Sequence, residues 1–329
     1  MRPALFLRTR WINGMPPTID NRDLSLQLDD LRRQLAQQTP DNPAVQGWAS
    51  YAQCDEDGII RACLARIAQA TPLSRSFLEI GCADGRQNNT HQLALDGYRG
   101  VWVDGDAAAI DSIAKALSGL VFDDLLVLQQ RVALTSSAGL AKRARNFLAT
   151  ESVDLLSLDI DGNDLHVLPA FVSRLSPKLV CVEYNAKFPP QTRLVMEYDE
   201  AHSWGYDDYF GSSLQSWVDA LQVLGYSLVA CNLSGANAFF VRDDLVHRFT
   251  LYPIDALYQP PRYWLTSAHN GHPASLKWLA QRLRQAPSAF RIVPVQAPAQ
   301  PPAEFAIHQV PDEFVSGDLA RSGVWEPFE

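Results

Sequence analysis

Phe77-Leu78-Glu79-Ile80-Gly81-Cys82-Ala83-Asp84-Gly85 joins a short apolar run to two glycines four positions apart, and this stretch decides the fold. Residues 76–80 have the length and apolar density of a buried strand. Gly81 and Gly85 then let the backbone turn and approach a bulky partner with no Cβ in the way. Asn88, Asn89 or Thr90 is placed to cap a following helix. The spacing is not the dinucleotide fingerprint G-x-G-x-x-G, because Ala83 stands where that pattern needs glycine.

Downstream the same alternation repeats. Apolar runs read as strands at residues 100–103, 125–129, 153–158, 178–183, 227–231 and 238–242. Helical spacing covers 89–96, 107–117, 139–147, 165–175 and 213–224. Five strand–helix units followed by two strands separated only by Leu233-Ser234-Gly235-Ala236-Asn237 predict an α/β fold. Its seven-stranded sheet is mainly parallel, with an antiparallel last strand and helices on both faces.

Upstream, residues 23–38 carry Leu24, Leu28, Leu31 and Leu35 at helical spacing before the break Pro40-Asp41-Asn42-Pro43. Prolines recur after residue 251, around one helical stretch at 275–284. Three parts are expected: an N-terminal arm or helix over 1–48, a catalytic domain over 49–250 and a C-terminal extension over 251–329.

With 329 residues, 47% of them hydrophobic, the chain can bury a full core, and a formal charge of -9 argues against a surface built to track phosphates. Nucleic acid is not an expected partner. The five cysteines are scattered and mostly in apolar runs, which fits buried free thiols, a reducing compartment and a cytoplasmic location. No apolar run is long enough to span a membrane. The sequence fixes no oligomeric state and leaves a homo-oligomer open.

In a doubly wound sheet, ligands bind beyond the carboxyl ends of the strands. Glu79 at the end of the first strand suits a cationic amino-acid group, and Asp104, about 20 residues after the glycine turn, suits ribose hydroxyls. Asp106 reads as the N-cap of the next helix. The densest polar signal is Asp159-Ile160-Asp161-Gly162-Asn163-Asp164, with Glu183-Tyr184-Asn185 ending the neighbouring strand. Asp159, Glu183 and Asn185 form a hard oxygen set suited to Mg²⁺. The alternative makes Asp161 and Asp164 turn and cap residues, with Asp159 contacting the cofactor. The long connection 186–211 holds His202, Trp204, Tyr209 and Phe210, and connections of this length are usually lids or binding loops. Aromatic rings among acids suit a polyhydroxylated small-molecule or glycan acceptor, with Asp161 or His202 taking its proton.

Taken together, the chain resembles the FkbM-like group of class I S-adenosylmethionine-dependent methyltransferases. The resemblance rests on Ser50-Tyr51-Ala52-Gln53 with Glu56-Asp57-Gly58, on Phe77–Gly81 with Asp84-Gly85 and Asn88-Asn89-Thr90, and on Gly100-Val101-Trp102-Val103-Asp104-Gly105. It continues through Leu155–Asp164, Val182-Glu183-Tyr184-Asn185, Tyr209–Leu214 and Gly235–Val241, about residues 50–245 in all. It implies a Rossmann-like sheet and S-adenosylmethionine as cofactor, held by Glu79, Gly81 and Asp104; Asp84 and Gly85 of the turn, and Asp159, are counted with them as cofactor-binding candidates. It also implies O-methylation of a sugar, glycan or secondary metabolite and a place in polysaccharide biosynthesis. Asp161 departs from the group's usual Asp-x-Glu-Gly, and a shorter carboxylate reaches a different point.

Overall fold

The computed structural model describes residues 21–117 and 124–265, together with 276, 279 and 280. Seven strands, β1 Ser76–Ile80, β2 Arg99–Asp104, β3 Leu125–Gln129, β4 Leu155–Leu158, β5 Leu179–Glu183, β6 Tyr226–Cys231 and β7 Asn237–Arg242, form one sheet. Their order is β3-β2-β1-β4-β5-β7-β6. β1 to β5 run parallel, and β7 inserts antiparallel between β5 and β6. The expected α/β architecture is therefore the one observed, antiparallel last strand included.

The helices are α1 Asn21–Gln38, α2 Glu56–Ile67, α3 His91–Leu95, α4 Ala107–Ala116, α5 Leu134–Leu148, α6 Asp164–Leu175, α7 Leu214–Val223 and α8 Ile254–Leu257. Strand residues alternate between two cores. Phe77, Trp102, Leu155, Cys181 and Phe239 pack with residues of α1 to α4. Leu78, Val101, Leu156, Val180 and Phe240 pack with α5, α6 and α7. Burial on both faces is why the strands read as continuous apolar runs. All five cysteines are free and buried. Among the described residues, no helix is long and apolar enough to cross a membrane.

Two boundaries differ from the sequence reading. α5 starts at Leu134 rather than 139, because its first turn is polar and is fixed by Ser136 Oγ, which accepts the Ala133 N–H at 3.0 Å. Apolar periodicity does not register such a turn. Nor does the packing break at residues 48 or 250. Leu24, Leu28 and Leu35 of α1 belong to the same core as Phe77, so this helix is part of the domain rather than a separate arm. On the other side, Leu257 joins the α5–α7 core, Tyr184 Oη donates to the Gln259 carbonyl at 2.7 Å, and Tyr258 Oη donates to the Ala186 carbonyl at 2.6 Å. The helix expected over 275–284 falls largely outside the described residues.

At the amino ends of the strands, Lys178 and Asp154 form a buried ion pair at 2.6 Å. Asp154 also accepts from Ser74 N at 3.0 Å, Ser74 Oγ at 3.1 Å and Ser76 N at 3.3 Å, which ties β1, β4 and β5 together at the end away from the crevice. Removing one partner of such a pair leaves an uncompensated buried charge. Lys178→Met is expected to lower the unfolding free energy by about 3–5 kcal/mol, read by urea denaturation at neutral pH. An unchanged midpoint would show that the pair is not needed to hold the strand ends.

Candidate active site

Chain winding reverses between β1 and β4, and such a reversal opens a crevice there. It encloses about 930 Å³ at the carboxyl ends of β1 to β5. Gly81 and Ala83, Asp104 and Asp106, Gln130 and Arg131, Asp159 and Asp161, and Glu183 line it strand by strand. His202, Trp204 and Phe210 from the long loop, Ala236 from the β6–β7 hairpin, and Tyr263 complete the wall.

The glycine turn folds in on itself. Gly81 has φ +86°, and a Cβ added there would collide with the Asp159 carbonyl oxygen. Its N–H and that of Cys82 both donate to the Val103 carbonyl, at 2.8 and 3.2 Å. The Gly85 N–H donates to the Cys82 carbonyl at 2.9 Å, and Ala83 N–H donates to Asp104 Oδ2 at 2.7 Å. Gly81 therefore lines the cavity because only glycine lets β1 turn against β4. Gly85 instead packs on Trp102, and Asp84 pairs with Arg86 at 2.9 Å; neither lines the cavity.

Glu79 also sits away from the cavity, which alters the role expected of it. Its carboxylate accepts Asn89 N at 2.7 Å, Thr90 N at 3.1 Å and the Thr90 hydroxyl, while Thr90 Oγ1 accepts from Trp102 Nε1 at 2.8 Å. It thus answers the open N–H groups ahead of α3, a task the sequence assigned to the polar residues at 88–90 themselves. Burial pushes its pKa up to about 7, against these hydrogen bonds.

Asp104 lies where the ribose ligand was expected. Its oxygens accept Ala83 N and Asp106 N, at 2.7 and 2.8 Å, which fixes the carboxylate and still leaves lone pairs turned to the cavity. Asp106 caps α4 by accepting Ala108 N at 2.8 Å.

Carboxylate atoms of Asp159, Asp161 and Glu183 all lie within 4.8 Å of one another. Burial first, and then the neighbouring acids, raise Asp159 and Glu183 well above the usual carboxylate range. Burial also raises Asp161, with His202 opposing. Asp161 sits at φ +55°, a backbone position that costs a non-glycine residue energy and often marks functional sites. Asp164 holds that turn by accepting Ile160 N at 2.8 Å and Gly162 N at 2.9 Å. His202 Nε2 rests 3.1 Å from the Asp161 carbonyl oxygen.

Three carboxylates so close are a hard donor set that matches Mg²⁺ in kind. Asn185 is not among them. Its amide donates to the Asp208 and Phe210 carbonyls at 2.9 and 3.2 Å, and its Oδ1 accepts Lys187 N at 3.3 Å, so it anchors the loop's base.

Loop 186–211 is pinned at its middle as well. Asn163 exchanges two hydrogen bonds with the Asp199 backbone, at 2.7 and 3.1 Å, and Arg131 donates to the Glu200 and His202 carbonyls. Trp204 is held by its indole N–H on the Asp207 carbonyl at 3.0 Å and by edge contact with Phe210 at 5.7 Å. Gln53, Gln130, Arg131 and Tyr263 were not anticipated. The β3 end was a readable signal for 130 and 131, whereas Tyr263 lies in a stretch with no periodicity.

No family model matches the chain, and no curated protein matches it. Solved structures do. The bifunctional kinase-methyltransferase WbdD matches at 14% identity and a TM-score of 0.28, over 56% of this chain and 38% of that one. The METTL16 methyltransferase domain matches at 13% and 0.36, over 70% and 82%. The plantazolicin methyltransferase BamL, in a complex containing SAH, matches at 13% and 0.25, over 51% and 62%. The chain thus spans well under half the length of WbdD. All three are methyltransferases by name.

Glu79 makes a pH prediction. Its folded pKa of about 7 lies above the ordinary 4.5, so its proton is held more tightly in the folded state. The stabilisation is complete below pH ~4.5 and lost as pH rises through ~7, by about 3 kcal/mol for the single group. Glu79→Gln removes that titration. The drop in urea unfolding free energy between pH 4.5 and 7.5 is expected to be shallower in the variant; identical drops in both proteins would contradict it.

Proposed function

We propose that the protein is an S-adenosylmethionine-dependent methyltransferase that methylates a hydroxyl of a sugar, glycan or small secondary metabolite. One observation carries this reading. The cavity sits under a glycine turn whose N–H groups at 81, 82, 83 and 85 are all engaged, by the Val103 carbonyl of β2, by Asp104 or by the Cys82 carbonyl, while acids stand at the ends of β2, β4 and β5. A pyrophosphate needs free backbone donors at that turn, so a nicotinamide dinucleotide is poorly served. A phosphate-free cofactor with a ribose and a cationic end suits this donor set. Asp104 takes the ribose diol, and Asp159 faces the cationic end.

When bound, S-adenosylmethionine brings a methyl group on a positively charged sulfur. What the chain adds is position and proton handling. Trp204 and Phe210 line the cavity together with Asp161, Glu183 and His202, a pairing of aromatic and acceptor groups that suits a polyhydroxylated molecule. Asp161 and His202 are the groups placed to draw proton density from its hydroxyl. Holding that oxygen in line supplies much of the rate. The buried thiols fit a cytoplasmic enzyme; the glycan acceptor and a place in polysaccharide biosynthesis rest on the family resemblance alone.

A second reading places Mg²⁺ on Asp159, Asp161 and Glu183, favoured by their grouping within 4.8 Å. Full turnover after chelation would remove it.

The cofactor reading is tested by thermal shift with S-adenosylmethionine, S-adenosylhomocysteine and NAD. The first two are expected to stabilise, and Asp104→Ala is expected to weaken S-adenosylhomocysteine by about 10–100-fold, the loss of hydrogen bonds to a charged group. Stabilisation by NAD alone would overturn the proposal. For the acceptor side, label transfer to a panel of glycosides and hydroxylated metabolites is compared between wild type, Asp161→Asn and His202→Ala. One of the two variants is expected to lose about 10²–10⁴-fold in turnover while still binding S-adenosylhomocysteine. Near-normal turnover in both would strip them of the proton-accepting role.

A further inference from the structure

Ser50-Tyr51-Ala52-Gln53 with Glu56-Asp57-Gly58 is the part of the motif succession that the proposed chemistry leaves unused. It is a fastened strap. One oxygen of the buried Asp57 carboxylate, Oδ2, accepts the N–H groups of Ser50, Tyr51 and Ala52 at 2.6, 2.8 and 3.0 Å. Glu56 accepts Cys54 N at 2.8 Å, and Asp55 reaches the β6–β7 hairpin by accepting Leu233 N at 3.0 Å. On the other side, the Tyr51 ring stacks on His91 with centroids 3.9 Å apart and planes 15° from parallel. His91 Nδ1 lies 2.7 Å from the Gly85 carbonyl, so the strap is tied to the glycine turn as well.

Of the residues in this strap, Gln53 lines the cavity. Its side chain is exposed and makes no hydrogen bond with the described residues. A carboxylate holding three consecutive N–H groups is a strong and directional arrangement, and its result here is a carboxamide presented at a cavity wall.

The amino-acid end of S-adenosylmethionine is a zwitterion. Its ammonium needs acceptors, which Asp159 and Glu183 offer; its carboxylate needs donors. At the glycine turn the N–H groups of 81, 82, 83, 85 and 86 already donate elsewhere. Gln53 Nε2 is an unengaged donor at the same cavity.

We infer that Gln53 binds the amino-acid end of the cofactor and that Asp57 is the positioning residue that holds it there. The inference rests on the methyltransferase reading and adds a donor from a segment that precedes the sheet. Loss of Gln53 should be felt by ligands carrying the amino-acid end and not by those lacking it.

Titration calorimetry with S-adenosylhomocysteine and with 5′-methylthioadenosine, which keeps the nucleoside but lacks the amino acid, tests this. Gln53→Ala is expected to weaken S-adenosylhomocysteine by about tenfold or more, one hydrogen bond to a charged group, and to leave 5′-methylthioadenosine within about twofold. Asp57→Asn is expected to show the same selectivity; a merely structural role would weaken both ligands together. Because Gln53 is exposed, its variant should unfold at the wild-type temperature without ligand, which separates binding from folding. Unchanged S-adenosylhomocysteine affinity in Gln53→Ala, or equal loss for both ligands, overturns the inference alone. A wild-type protein that binds neither ligand overturns the cofactor reading and this inference with it.

Discussion

The site depends on the contact between Gly81 and the Asp159 carbonyl, where the turn after β1 meets the end of β4 with no room for a side chain. β1 and β4 are adjacent and parallel, yet the chain leaves them toward opposite faces. The crevice between those departures is a consequence of winding. Its depth and shape follow from how closely the two strand ends approach, and glycine sets that approach. The acids of β4 and the floor of the cavity are thereby placed by one backbone-to-backbone contact.

The buried carboxylates fall into two groups. Asp57, Glu79, Asp154 and Asp164 each accept two or more hydrogen bonds from nearby N–H or O–H groups and act as mechanical fasteners. Asp159, Asp161 and Glu183 stand close to each other, and their ionisation is disfavoured by burial. An acid with its oxygens engaged has its position set by the groups it holds. An acid held near another acid has a charge state that a passing cation, proton or hydroxyl can change. The first group gives the second a fixed frame, Asp164 most directly, since it pins the very turn that carries Asp161.

Much of this was legible in the sequence. Strand positions followed from short apolar runs because every strand is buried on both faces, and Asp104, Asp159, Asp161 and Glu183 followed from the rule that ligand groups gather at strand ends. What escaped was the use of polar groups by the backbone. Glu79 and Asn185 carry the right chemistry at the right strand ends, but local N–H and carbonyl groups claim them, and one-dimensional spacing does not reveal such claims. For α1 the leucine stripe says that a helix is covered without saying by what. Tyr263 and Gln53 reach the cavity from segments whose paths are set by tertiary contacts alone.

Loop 186–211 is anchored at its base by Asn185 and at its middle by Asn163, both through main-chain atoms of the loop. Main-chain anchors are indifferent to side-chain identity. The residues between the anchors, Ser203 to Asp207 among them, are therefore open to replacement without disturbing either attachment. Such a loop can be exchanged as a cassette: descendants of this fold can diverge in what the cavity admits while keeping the frame that bounds it.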